Sequence, residues 1–155
     1  MITRHLLMRD VPHIVRLDAS GYDEESLVKR LRGRHCVGRV TVDEHDNIPT
    51  AFVVYELTGS SIEIVGICAG NEEIDGRMLI DDMISRLLTS SREYISIGLH
   101  ETNLDAQLFF KASGFRAVAI EPDMFGDDGA GYQFVYAKSA PSSRGVVEFY
   151  AGGNR

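Results

Sequence analysis

The sequence contains no tryptophan, only two cysteines and four prolines, and no apolar run near the length of about 18 residues that spans a bilayer. Each shortage excludes something. Cys36 and Cys68 belong to no CxxC pair and no Cys/His group with zinc spacing, so a disulfide scaffold and a structural metal centre are both excluded. Both lie in apolar, strand-like runs and read as reduced, buried thiols, which suits a cytoplasmic location. The opening MITRHLLMRDVPHIV lacks the apolar stretch and small-residue cleavage site of a secretory leader. Positive charge is also short. The formal net charge is -7, with one basic run at Lys29, Arg30, Arg32, Arg34 and His35, which reads as a solvated helix end rather than a phosphate-binding face. No nucleic acid and no membrane is therefore expected as a partner. An acidic surface instead favours cationic partners.

What is present is an ordinary globular chain of 155 residues, enough for one domain with one core. Ile2 to Leu7 predicts a strand. Asp10 stands where it can cap a helix from Val11 to Ala19, with Pro12 in its first turn and Gly21 after it. Asp23 opens a second helix that buries Leu27, Val28 and Leu31 and stops at Gly33. Three strands follow, over Cys36 to Val42, Thr50 to Leu57 and Ser61 to Ala69, joined by short polar turns as an antiparallel meander. Ile80, Met83, Ile84, Leu87 and Leu88 recur at helical spacing and predict a long helix from Glu72 to Ser90. A strand at Glu93 to Leu99 comes next, then a helix capped by Asn103 and ended by Gly114. Phe115 to Ile120 and Tyr132 to Ala137 complete the strands, with a glycine- and aspartate-rich loop at Gly126 to Gly131. The order predicts an α+β domain over residues 1–138, mostly antiparallel, with helices on both faces and one parallel pair made by the long helical crossover. Residues 139–155 read as a linker and a tail, GVVEFYAG, suited to an extra edge strand, a homodimer contact or a tail that orders only in part.

This element order, together with NLDAQLFFKASGF at Asn103 to Phe115, resembles the GCN5-related N-acetyltransferase family. The opening ITRHLLMRDVPHIVRLD, the stretch DEESLVKRLRGRHCVGRV, and AFVVYEL and IEIVGICA resemble the family's first four strands and first two helices. YEL, HETNLDAQLFF and GFRAV are most similar to the ribosomal-protein alanine N-terminal acetyltransferase branch. The resemblance covers most of residues 1–138. It implies an N-acyltransferase that moves an acetyl group from acetyl-CoA to a primary amine such as a peptide N-terminus.

The resemblance further implies where the coenzyme lies. Pantetheine pairs with exposed backbone of the fourth strand, here Ile67, Cys68 and Ala69. The pyrophosphate sits at the start of the following helix, where free amides and the helix dipole attract anions. Of the family's Gln/Arg-x-x-Gly-x-Gly/Ala loop, only Gly76 and Arg77 match. Asn71 takes the Gln/Arg position, Ile74 the first glycine, and Glu72, Glu73 and Asp75 add negative charge. Asn103 and Phe110 fall in the coenzyme-contacting helix. The branch uses a glutamate base on the fifth strand and a tyrosine acid in the next helix. Gly98 and Phe110 hold those positions, and neither exchanges a proton. The substitute bases are Glu63, His100 and Glu101, with Tyr132 and Tyr136 as further proton donors. Two functions follow: an active acyltransferase, or a protein that keeps the fold as a binding or assembly module.

Overall fold

The computed structural model describes residues 1–17 and 23–138. The tail expected as an edge strand or dimer contact, and the end of the first helix at Ala19 and Gly21, lie outside them. Seven strands form one sheet: β1 (Ile2–His5), β2 (Cys36–Val42), β3 (Pro49–Leu57), β4 (Ser61–Ala69), β5 (Tyr94–His100), β6 (Arg116–Glu121) and β7 (Gly131–Ala137). They lie in the order β1-β2-β3-β4-β5-β7-β6. All neighbours are antiparallel except β4 and β5. The helix between these two strands explains the exception, since a crossover returns the chain in its original direction.

Alternation along β2, β3 and β4 sends side chains to two cores. On one face α1 (Val11–Leu17) and α2 (Glu24–Leu31) cover Val40, Val42, Phe52 and Val54. On the other, α3 (Arg77–Leu88) and α4 (Leu104–Ala112) cover Val53, Tyr55, Ile64, Ile95 and Ile97. Leu79, Ile80, Met83 and Leu87 of α3 are fully buried, which matches the periodicity, whereas Leu88 is exposed. Burial on this scale contributes about 1.5–3 kcal/mol for each large apolar side chain. Arg39 fixes the pose of α3. Its Nε and Nη2 donate to the two Asp82 carboxylate oxygens at 3.1 and 3.2 Å, tying the helix to β2.

Two local expectations change. Asp10 does not cap α1. Its carboxylate turns back to β1, receives Arg4 Nη1 and Nη2 at 2.7 and 2.9 Å, and accepts the Leu7 amide at 2.7 Å. A bidentate guanidinium is a stronger partner than a helix amide and takes both oxygens. The long central helix is also shorter than expected. Glu72–Gly76 forms a π turn, and regular α-helix begins at Arg77. Gly114, by contrast, ends α4 as expected, at φ +96°.

Candidate active site

The ladder between β4 and β5 has four registered pairs, from Ser61↔Tyr94 to Ile64↔Ile97, and then stops. The cause lies one strand away. The register of β3 on β4 slips between Val54↔Gly66 and Tyr55↔Ile64, which leaves Val65 as the extra residue of a bulge. A bulge bends its strand and increases twist, so β4 leaves the direction of β5 there. Beyond it β4 stays paired with β3, and β5 stays paired with β7. The two strands therefore bound a wedge-shaped opening.

Hydrogen-bond alternation says which groups line it. Gly70 N–H donates to Thr50 O across β3 at 2.9 Å, so Gly70 and Cys68 face β3 while Ile67 and Ala69 face the opening. Among the described residues, the backbone of Ile67 and Ala69 has no strand partner on that side. Their side chains join the α3/α4 core, and Cys68 packs on the α1 face with its thiol 3.3 Å from Leu17 O.

At the end of β4 the chain turns into α3. Asn71 Oδ1 accepts the Ile74 amide at 3.2 Å, and the Asn71 carbonyl accepts the amides of Asp75 and Gly76 at 2.9 and 3.2 Å. Arg77 N–H donates to Glu72 O and Ile74 O. The amides from Ile74 to Arg77 are thus consumed within the turn. The amides of Glu72 and Glu73 have no hydrogen-bond partner among the described residues. Asp75 does not share the surface with Glu72 and Glu73. It is 4% exposed, its carbonyl accepts Thr41 Oγ1 at 3.2 Å, and one of its carboxylate oxygens has no partner. Two carboxylates of this turn, not three, are exposed.

Between this turn and α4 runs a groove of about 550 Å³ bordered by Glu72, Arg77, Asp105, Leu108 and Phe109. Gly76 has a reason to be glycine here, because a Cβ would lie 3.3 Å from both Ala69 Cβ and Phe109 Cζ. Phe109, which sequence reasoning missed, therefore borders the turn. Phe110 does not open onto it. It is 1% exposed and packs edge-on between Phe109 and Phe115, at centroid distances of 5.2 and 5.0 Å. Asn103 caps α4 by accepting the Ala106 amide at 3.2 Å. Arg77 is exposed and 3.9 Å from Asp81.

The proposed bases separate. Glu63 is exposed on β4, opposite Ser96 of β5, on the same sheet face as Gly98. Gly98 lies two residues beyond Ser96 on that face of β5. Both ring nitrogens of His100 are engaged. Nδ1 accepts the Thr102 amide at 3.1 Å and faces Thr102 Oγ1 at 2.8 Å, while Nε2 lies 2.6 Å from Asp128 O. An amide only donates and a carbonyl only accepts, so Nδ1 is the acceptor and Nε2 carries the hydrogen. Glu101 is exposed at the turn after β5, and its amide donates to Ala130 O at 3.0 Å. Tyr132 and Tyr136 pack against the α3/α4 core. No three His, Cys, Asp or Glu side chains converge as a metal site among the described residues.

Charge is unevenly spread about this opening. The turns at its end of the sheet carry Asp43, Glu44, Asp46, Glu72, Glu73, Glu101, Asp123, Asp127 and Asp128. The opposite end carries Lys29, Arg32, Arg34, Arg92, Arg116 and Lys138.

The fold as a whole has counterparts among solved structures. The ribosomal-protein-S18-alanine N-acetyltransferase of Escherichia coli matches with a TM-score of 0.73 at 15% identity, over 92% of this chain and 97% of that one. NAA60 of Arabidopsis thaliana in complex with acetyl-CoA matches at 0.73 and 14%, over 90% and 99%. The aminoglycoside 6'-N-acetyltransferase of Enterococcus faecium matches at 0.70 and 13%, over 88% and 97%. The fold is that of the GCN5-related N-acetyltransferases. No protein-family model matches the sequence, and no curated protein does. The acetyltransferase fold is therefore shared with these enzymes at an identity that carries architecture alone. Among the described residues no helix is long and apolar enough to cross a membrane.

Proposed function

We propose that this protein transfers an acetyl group from acetyl-CoA to a primary amine. The observation that carries the reading is the parting of β4 and β5 after Ile64↔Ile97, which turns the backbone of Ile67 and Ala69 toward an open wedge. An extended pantetheine arm, with its two amides, can pair there as an added strand would. The pyrophosphate then meets the amides of Glu72 and Glu73 at the start of the π turn, with Arg77 beside it. Phe109 and Asn103 flank the coenzyme from α4.

The acceptor approaches on the face that holds Glu63 and Gly98. Glu63 takes a proton from the ammonium, and the free amine attacks the thioester carbonyl carbon. The tetrahedral adduct collapses, the C–S bond breaks, and the excess proton on the attacking nitrogen passes through solvent to the departing thiolate, because Phe110 offers none. Holding donor and acceptor in line supplies much of the rate in such a transfer. A peptide N-terminus is the acceptor class that the S18-alanine and NAA60 likenesses favour.

The test pairs calorimetric titration with acetyl-CoA and an acetylation assay on an alanine-initiated peptide, spermidine and an aminoglycoside. Binding with turnover of one amine is expected. Glu63→Gln should lower kcat about 10²-fold or more, the size of a lost general base. Absence of binding at millimolar coenzyme would refute the proposal.

A second reading is favoured by one specific finding: the amides of Ile74, Asp75, Gly76 and Arg77 are already satisfied, beside two exposed glutamates. On that reading the fold is kept as a binding or assembly module, and the titration returns no heat.

A further inference from the structure

The segment between β6 and β7 folds back over the face of the sheet that carries Glu63, and two glycines make room for it. A Cβ at Gly98 would stand 2.8 Å from Met124 Sδ. One at Gly131 would be closer still to the same sulfur, 2.7 Å from Phe125 Cε2 and 3.0 Å from the Leu99 carbonyl. Met124 thus occupies the space above the β5 position where a branch member would carry its carboxylate. An apolar thioether walls the side from which an amine reaches the wedge.

His100 ties this segment down, next to the Glu101 amide that donates to Ala130 O at 3.0 Å. His100 Nε2–H donates to Asp128 O at 2.6 Å, and its ring lies 5.1 Å from the Phe125 ring. The ring is itself held on the other side, where Nδ1 accepts the Thr102 amide. The backbone beneath is fixed too, since the His100 carbonyl accepts Gln107 Nε2 at 3.0 Å and the Asn103 amide at 3.0 Å. Gly129 lets the loop approach, for a Cβ there would sit 3.2 Å from Nε2.

We infer that His100 is a positioning residue that clamps the β6–β7 segment, and with it Met124, as the acceptor-side wall of the wedge. The word acceptor rests on the acetyl-transfer reading; the clamp does not. His100 acts through the loop and carries no proton in the reaction, because its acceptor nitrogen is spent on a backbone amide.

Two variants of the full chain separate the halves of the clamp. His100→Asn keeps an acceptor for Thr102 but is too short to reach Asp128. His100→Gln keeps a donor at the Nε2 position. The amides of Phe125, Gly126 and Asp128, which close the loop on itself, report by hydrogen exchange. His100→Asn should speed their exchange about tenfold and raise KM about tenfold for whichever panel amine turns over fastest, with kcat within about threefold. His100→Gln should restore both readouts to near the wild-type values. Unchanged exchange in His100→Asn overturns the clamp. A collapse of kcat with unchanged KM in both variants overturns it in favour of a proton carrier. A wild-type protein that acetylates no amine overturns the acceptor role, and the exchange result still decides the clamp.

Discussion

Replacing Glu72 and Glu73 together with glutamine should tighten acetyl-CoA binding about fivefold at physiological salt. Both side chains are exposed at the turn that, on the acetyl-CoA reading, meets the pyrophosphate, and Asp75 is buried away from it. A carboxylate about 7 Å from a phosphate charge opposes it by roughly 0.6 kcal/mol in a water-like dielectric. Each glutamate meets two such charges, and a Debye length of about 8 Å removes rather more than half of the effect. About 1 kcal/mol remains, close to a fivefold change in Kd. At about 20 mM salt the screening fades and the gain should exceed tenfold. Calorimetry at both salt concentrations reads this directly. The wild-type affinity should fall less with added salt than the variant's, since salt relieves a repulsion only the wild type has. Equal or weaker binding by the double variant at both salts would show that the phosphates do not lie at this turn.

Asp10→Ala should cost about 2–3 kcal/mol, because it leaves the Arg4 guanidinium half-buried and the Leu7 amide without its acceptor. Burial pushes the Asp10 carboxyl up, but the Arg4 hydrogen bonds, the Leu7 amide and the Arg4 charge outweigh it and hold the group below its ordinary value. The pair's contribution is therefore present above about pH 4 and lost as pH falls through the folded-state value, so wild-type and variant urea midpoints should converge in acid. Gly38→Ala should cost about 1–3 kcal/mol in the same melts, since its Cβ would sit 2.9 Å from Leu6 Cβ and from Leu31 Cδ2, and the former cannot swing away. Cys36 should react slowly with iodoacetamide at pH 7.5: burial, then the Glu56 charge, raise its thiol above the ordinary range. Peptide mapping should show slower labelling at Cys36 than at the cysteine of an unstructured peptide.

The strands were readable because each carries its own alternation and its own turn. AFVVYEL alternates between the two cores, with Phe52 and Val54 on one side and Val53 and Tyr55 on the other. Asp10 was misread because its partner, Arg4, lies on the preceding strand, and a helix-start pattern cannot show a competitor six residues back. The π turn was hidden for a related reason: Asn71 through Gly76 keeps helical composition, and only the hydrogen bonds reveal the wider first loop. Phe109 and Phe110 are adjacent on a helix, so which one faces inward depends on the docking against Phe115, a contact made outside the helix. The sequence shows Gly98 only as a lost base position and Gly131 only as the end of a loop. A glycine inside a strand signals close approach by something, but the thioether of Met124 comes from a loop whose path no local rule sets. The four-pair ladder depends on the bulge at Val65, and the sequence around it, IEIVGIC, shows no interruption beyond Gly66.

That short ladder also makes the molecule a clothes-peg. Below Ile64↔Ile97 the two halves of the sheet are pinned by their ladder; above it, among the described residues, the α3/α4 core spans them. A guest that props the lips apart strains side-chain packing and leaves the backbone bonds of both halves intact. Small changes in the bulk of Leu79 or Ile97 would then retune how thick a guest the jaw accepts, without redrawing its architecture.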